Sequence, residues 1–242
     1  MLTYSQGRSK MIEPMRYYYD IHDLEHIENV YSEQTEDGQR MYNTPDGNKY
    51  PSVTTVIGLE TREHIKLWRQ RIGEEKANRI TAGASRRGTK MHNIFENYLR
   101  AETDDIGIEN PLQKEMFLAV QPVLDEITPI ALEAPLWSDE LRMAGRVDCI
   151  GILNDELCII DFKTSRKPKQ TKWITNYFMQ ESAYAIMWEE RTGQPIVQLV
   201  TIISVDDHEP QVFIEHRDNW VRPLRETIEQ YNKENSSASL FV

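Results

Sequence analysis

The sequence predicts an α/β fold in which a central mixed β-sheet is flanked by helices and preceded by a mainly helical N-terminal elaboration. Two observations carry this. Residues 144–163 hold two strongly apolar runs separated by Asn154-Asp155, a pair suited to a two-residue hairpin turn. Segments with helix-spaced apolar residues stand before and after that hairpin, and strands interleaved with helices place the helices against the faces of a sheet. At 242 residues, 39% hydrophobic and 28% charged, the chain is long enough for one sizeable core. With no repeat and no Pro/Gly/Ser-rich linker, the expectation is a single domain: an elaboration at 1–84, a core at 85–216, and a last helix and tail at 217–242.

Along the chain, the first 40 residues read as irregular, with Tyr17-Tyr18-Tyr19 as their anchor. Arg40–Tyr42 and Tyr50–Ile57 flank Thr44-Pro45-Asp46-Gly47-Asn48, a turn-forming cluster, and read as a β-hairpin. Ile65, Trp68 and Ile72 recur at helical spacing among basic residues between Arg62 and Ala82. After Gly83-Ala84-Ser85 a second helix is expected from Thr89, its N-cap, turning Met91, Ile94, Phe95, Tyr98 and Leu99 inward. A helix over 111–127 follows, then strands at 132–137, 144–153 and 157–163. Next come a helix at 173–191 ended by Gly193, strands at 197–205 and 211–216, and a helix at 220–233.

Composition removes several classes of function. No run of about 18 apolar residues and no apolar leader core is present, so a cytoplasmic rather than secreted or membrane protein is expected. Cys149 and Cys158 are the only cysteines, too few for a disulfide framework or a four-thiolate cluster, and both lie in apolar strands. The net charge of −11 disfavours a phosphate-bearing partner, but its distribution does not. Residues 60–100 hold ten Lys/Arg against five Asp/Glu and residues 142–172 seven against four, whereas 101–141 hold one against ten. Any nucleic acid must use a local basic surface.

The hairpin itself carries polar groups where they are costly. A turn at Asn154-Asp155 places Asp148 opposite Asp161 and Arg146 opposite Lys163 on a face shared with Ile150, Ile152, Leu157 and Ile159. The other face shows Val147, Cys149, Cys158, Ile160 and Phe162, so both faces are apolar and the strands belong in the middle of a covered sheet. Two carboxylates facing each other there need a cation. The hairpin alone leaves two readings open: a metal-binding pair, or strand-end acids forming ordinary salt bridges with Arg146 and Lys163.

The pattern Gly145-Arg146-Val147-Asp148, then Asp161-Phe162-Lys163 after an apolar strand, resembles the PD-(D/E)XK nuclease superfamily. Gly88 followed by His92 on an upstream helix, and Gln180 followed by Tyr184 after the lysine, resemble its RecB-like branch. Together with Pro51–Gly58, the motifs are similar to phage exonucleases related to the mitochondrial genome maintenance exonuclease, over residues 50–190. The resemblance implies a restriction-endonuclease-like core and a Mg²⁺- or Mn²⁺-dependent deoxyribonuclease acting on DNA, single-stranded or with a free end. It implies that Asp148, Asp161, His92 and the Phe162 carbonyl hold the metal, with Lys163, Gln180 and Tyr184 completing the catalytic set. The iron–sulfur cluster of some members is not expected, because they use four cysteines. A structure-specific endonuclease, or a non-catalytic DNA-binding module on the same fold, are the rival readings.

Other residues keep two readings. Glu96, one turn beyond His92, either supports the histidine and metal or is a solvated carboxylate. Arg86, Arg87 and Lys90, at an expected helix N-terminus, suit phosphate contact. Arg146, Thr164, Arg166, Lys167, Lys169 and Lys172 lie along or just after the hairpin and are further DNA candidates. Trp173 and Tyr177 either stack on bases or pack in the core. Tyr184 sits among Ala183, Ile186 and Met187 and suits core packing equally.

Overall fold

The computed structural model describes residues 31–34 and 39–238. The Tyr17-Tyr18-Tyr19 anchor lies outside them. Among the described residues there are two sheets, six α-helices and one 3-10 turn. A three-stranded antiparallel sheet is formed by β1 (Tyr31–Gln34), β2 (Arg40–Asn43) and β3 (Lys49–Pro51), in that order. The second sheet has five strands in sequence order: β4 (Thr128–Ser138), β5 (Met143–Leu153), β6 (Glu156–Ser165), β7 (Gln198–Val205) and β8 (Gln211–His216). It is mixed, because β6 and β7 run parallel while the other pairs are antiparallel. The parallel step is bridged by a helix, as the geometry of a crossover requires.

The helices are α1 (Val53–Ile57), α2 (Leu59–Ile72), α3 (Glu74–Arg100), α4 (Pro111–Leu124), α5 (Thr175–Thr192) and α6 (Asp218–Ala238). They cover both faces of the five-stranded sheet. On one face Ile150, Ile159 and Leu199 pack with Val53 and Val56 of α1, Met179 and Trp188 of α5, and Leu224 of α6. On the other, Cys149, Cys158, Ile160, Phe162 and Val200 pack with Met91 and Phe95 of α3 and Phe117 and Val120 of α4. Both cysteines are thus core thiols, and burial pushes the Cys158 thiol up to about 12. No helix among the described residues is long and apolar enough to cross a membrane.

Several local expectations change. Residues 31–34, read as irregular, form a strand paired with β2. Tyr50–Ile57, read as one strand, becomes β3 followed by α1, because Ser52 accepts a hydrogen bond from Thr55 N (3.0 Å) and caps the β-branched Val-Thr-Thr-Val-Ile run as a helix. The helix expected from Thr89 begins fifteen residues earlier at Glu74, and the break falls at Gly73 (φ 86°) rather than at Gly83-Ala84-Ser85. Gly83 keeps helical φ, a cost of about 1 kcal/mol that continued helix on both sides absorbs. Ile65 is half exposed, so α2 does not bury the stripe its spacing suggests.

The Asn154-Asp155 turn has φ of 55° and 63°, the left-handed pair of a type I′ hairpin. Gly193, at φ 71°, ends α5 by donating its N–H to the Glu189 carbonyl.

Replacing Ser52 by Ala is expected to cost about 1 kcal/mol through loss of the α1 cap, seen as a lower denaturant midpoint with an unchanged slope.

Candidate active site

The β5–β6 register is the one read from the turn, from Leu153↔Glu156 through Cys149↔Ile160. There it ends. β5 stays paired with β4 down to Met143, and β6 runs on beside β7 to Ser165, so the two strands part. The Phe162 N–H, facing the gap, donates to the Asp148 carboxylate (2.8 Å) instead of to a β5 carbonyl. Val147 and Cys149, two residues apart and expected on one face, pack in opposite cores, so β5 turns over at Asp148. The two acids are therefore not a cross-strand pair on one face: each lies on its own side of the fork. Arg146, expected opposite Lys163, is instead opposite Pro135 of β4 and donates to the Glu133 carbonyl (2.7 Å).

Asp148 turns towards α3, where its Oδ2 lies 3.4 Å from His92 Nδ1. Phe162 packs edge-on against the His92 ring, at 6.4 Å between centroids, and holds its orientation. Asp161 turns towards α5. Its Oδ1 accepts a hydrogen bond from Gln180 Nε2 (2.8 Å), and its Oδ2 forms an ion pair with Lys163 Nζ. That ammonium also lies over the Tyr177 ring, 5.2 Å from its centroid. Tyr184, one turn beyond Gln180, is buried, and its ring fills the space a Cβ at Gly145 would need: such an atom would lie 2.7 Å from Tyr184 Oη. The glycine of one motif and the tyrosine of another are thus two halves of one contact.

One residue was missed in the sequence. Glu133 lies opposite Asp148 in the β4–β5 register, between the pairs Leu132↔Cys149 and Ala134↔Val147. Donor atoms of His92, Glu133 and Asp148 lie within 4.8 Å of one another. The available signal was a lone acid in the apolar run Ile130-Ala131-Leu132-Glu133-Ala134. It was hidden by the acidity of the whole 101–141 segment and by the Asp139–Arg142 loop, which does not announce a register.

The electrostatics follow from burial. Burial pushes the Asp161 carboxyl up to about 6, against the pull of Lys163 and helped by Asp148. Burial likewise raises Glu133 to about 7, reinforced by Asp148 and Glu96. For His92 burial opposes the charged form, but the Asp148 carboxylate outweighs it and the imidazole is raised; the same contact leaves Asp148 lowered despite its burial. Lys163 is raised because Asp161 and Asp148 overcome its desolvation, so it carries its proton. Deeper still, Glu181 of α5 accepts from the Thr201 hydroxyl and is raised well above the carboxylate range by burial, then by Asp161. Its charged form is disfavoured there by burial and by the neighbouring Asp161.

Of the other candidates, Glu96 forms an ion pair with Arg100 (2.7 Å). Arg86, Arg87 and Lys90 are mid-helix, so no helix N-terminus aids them. Arg87 is tied to Asp206 (2.8 Å) and only one-fifth exposed, and Lys90 is paired with Glu109. Arg86, Arg166, Lys167 and Lys172 are exposed. Thr164 lies beside Gly88 of α3, where an added Cβ would meet its hydroxyl at an ordinary contact distance of 3.9 Å.

The mixed sheet thus forks between two acid-bearing strands, with a protonated lysine two residues beyond the second acid, and the residues gathered there are those of the motifs in the sequence. Comparison with known families matches residues 60–239 to the PD-(D/E)XK nuclease superfamily, and the chain belongs to it. Among individual proteins it is similar to mitochondrial genome maintenance exonuclease 1 of Homo sapiens (33% identity over 132 residues), Xenopus tropicalis (34% over 129) and Mus musculus (30% over 131). The matches cover 49–50% of this chain and 37–39% of those proteins, so the chain spans less than two fifths of the length of these relatives.

Gly145→Ala is expected to lower the melting temperature. Because the added methyl meets the Tyr184 ring, Gly145→Ala with Tyr184→Ala should destabilise by less than the sum of the single changes, as a double-mutant cycle in thermal unfolding would show.

Proposed function

We propose that this chain is a metal-dependent DNA exonuclease, hydrolysing phosphodiester bonds at DNA ends or in single strands. The observation that carries the reading is the convergence of His92, Glu133 and Asp148 beside the buried Asp161 and its ion-pair partner Lys163. Superfamily membership and the exonuclease names of the relatives support it.

The donor set fits a hard divalent cation. Carboxylate oxygens and one imidazole suit Mg²⁺ or Mn²⁺, and carboxylates this crowded and buried gain most from a positive charge among them. Asp148, Glu133 and His92 would hold it, with Asp161 and the Phe162 carbonyl as further oxygen donors across the fork. When bound, such an ion neutralises charge gathering on the phosphate and lowers the pKa of water beside it.

The remaining steps belong to the protein. Gln180 fixes the Asp161 carboxylate by hydrogen-bonding one oxygen, leaving the other to Lys163. Lys163, kept protonated by its carboxylate neighbours, offers its ammonium to the attacked phosphate and orients the nucleophilic water rather than taking a proton from it. Arg86, Arg166, Lys167, Lys169 and Lys172 would contact the DNA backbone, while the ion pairs of Arg87 and Lys90 make those two weaker candidates.

Asp161→Ala and Lys163→Ala should each lower Mg²⁺-dependent digestion of end-labelled linear DNA by about 100-fold or more, with closed circular DNA left intact by the parent protein. Full activity in either variant would sink the assignment, and nicking of the circle would make the enzyme an endonuclease.

Metal affinity should depend on pH. The cation competes with protons on Asp161 (about 6) and Glu133 (about 7) and on the raised His92, so binding tightens as pH rises from 5.5 to 8 and releases protons. Calorimetric titration of Mn²⁺ in buffers of differing ionisation enthalpy reads both effects. Glu133→Gln should weaken binding by about tenfold or more and flatten the upper part of the profile.

A further inference from the structure

Among the described residues Trp173 is the most exposed large apolar side chain, at 58%, and the chain around it explains why it stays in water. It closes a single 3-10 turn, Thr171–Trp173, in the segment joining β6 to α5, the two elements that supply Asp161, Lys163 and Gln180. This segment is not loose. Ser165 Oγ donates to the Lys167 carbonyl (2.7 Å), and the Gln211 side chain accepts from Lys169 N (2.6 Å) and donates to Lys169 O (3.0 Å). Trp173 N donates to Gln170 O (2.8 Å), and the next residue, Ile174, is buried. With its backbone held on both sides, the segment presents the indole to solvent.

The charges beside it are of one sign. Between Asp161 and Glu181 the chain carries Lys163, Arg166, Lys167, Lys169 and Lys172 and no acid. Two of these cations lie over aromatic rings: Lys163 over Tyr177 at the catalytic end, and Lys172 over Trp173, 5.8 Å from its centroid, further out. Alternating aromatic faces and cations along a rigid segment match a strand whose bases stack and whose phosphates need neutralising. Along a duplex each base face is covered by the next pair, so the indole finds no open face there except at the very end.

Resting on the nuclease reading above, we infer that Trp173 is a stacking platform for an unpaired base of single-stranded DNA, with Lys172 and its neighbours holding the flanking phosphates. It is a specificity-determining residue that favours unpaired over paired DNA.

The test is binding without cleavage: fluorescence anisotropy of labelled oligonucleotides with chelator present and no divalent metal. Trp173→Ala should weaken single-strand binding by about 5- to 150-fold, Trp173→Phe should keep most of it, and blunt duplex binding should be unchanged. An abasic site scanned along the oligonucleotide should lower the affinity of the parent protein at one position, and Trp173→Ala should no longer sense that position. The abasic scan uses the unaltered chain, so it tests the idea even if a variant misfolds. Equal weakening for single strand and duplex, or single-strand binding by Trp173→Ala that matches the parent, would overturn it. Intact cleavage with no effect of Trp173 removes the platform alone, whereas Trp173-dependent single-strand binding with no cleavage of any DNA removes the nuclease reading alone.

Discussion

The hydrogen bond from the Phe162 amide to the Asp148 carboxylate is the contact on which the rest depends. In an uninterrupted sheet that amide would bond to a neighbouring carbonyl, and side chains 148 and 161 would be locked in cross-strand register. Here a side chain satisfies the backbone where two strands separate, and an orphaned buried amide is avoided. The fork opens a polar space in a sheet whose two faces are otherwise apolar. It also fixes which way each acid points, Asp148 to α3 and Asp161 to α5.

The charge balance then explains the surroundings. Four carboxyls approach one another, from Glu133, Asp148, Asp161 and Glu181, against the Lys163 ammonium and the imidazole of His92. Burial pushes Glu181 towards its protonated form, and Lys163 lowers the cost by staying charged beside Asp161. The remaining surplus of negative charge suits a divalent ion better than any further side chain present. A residue with no chemistry of its own serves the same end: Gly145 removes a side chain where Tyr184 must come close.

Much of this was legible in the sequence. The turn at Asn154-Asp155 announced its register, and the two apolar faces announced a covered sheet. Gln180 and His92 were found by resemblance, since a lone glutamine or histidine on a helix says little by itself. Glu133 was not legible, because its meaning depends on a β4–β5 register set by a loop without turn chemistry. The parting of the strands was hidden for a related reason. It is a competition between β4 and β6 for β5, and local pattern cannot rank partners far apart in the chain. The α2–α3 boundary misled because Gly83 and Gly73 look alike in one letter, and only the second adopts a positive φ.

The 27 residues of α3 extend about 40 Å. The stretch from Met91 to Leu99 turns its apolar side chains into the core, while most of the preceding residues of the helix lie at the surface. The Arg87–Asp206 bridge sits at the junction, one turn before His92. Asp206 directly follows β7, so this ion pair ties α3 to the sheet beside the histidine that meets Asp148, and the imidazole is positioned by a contact made at the protein surface as well as by the core.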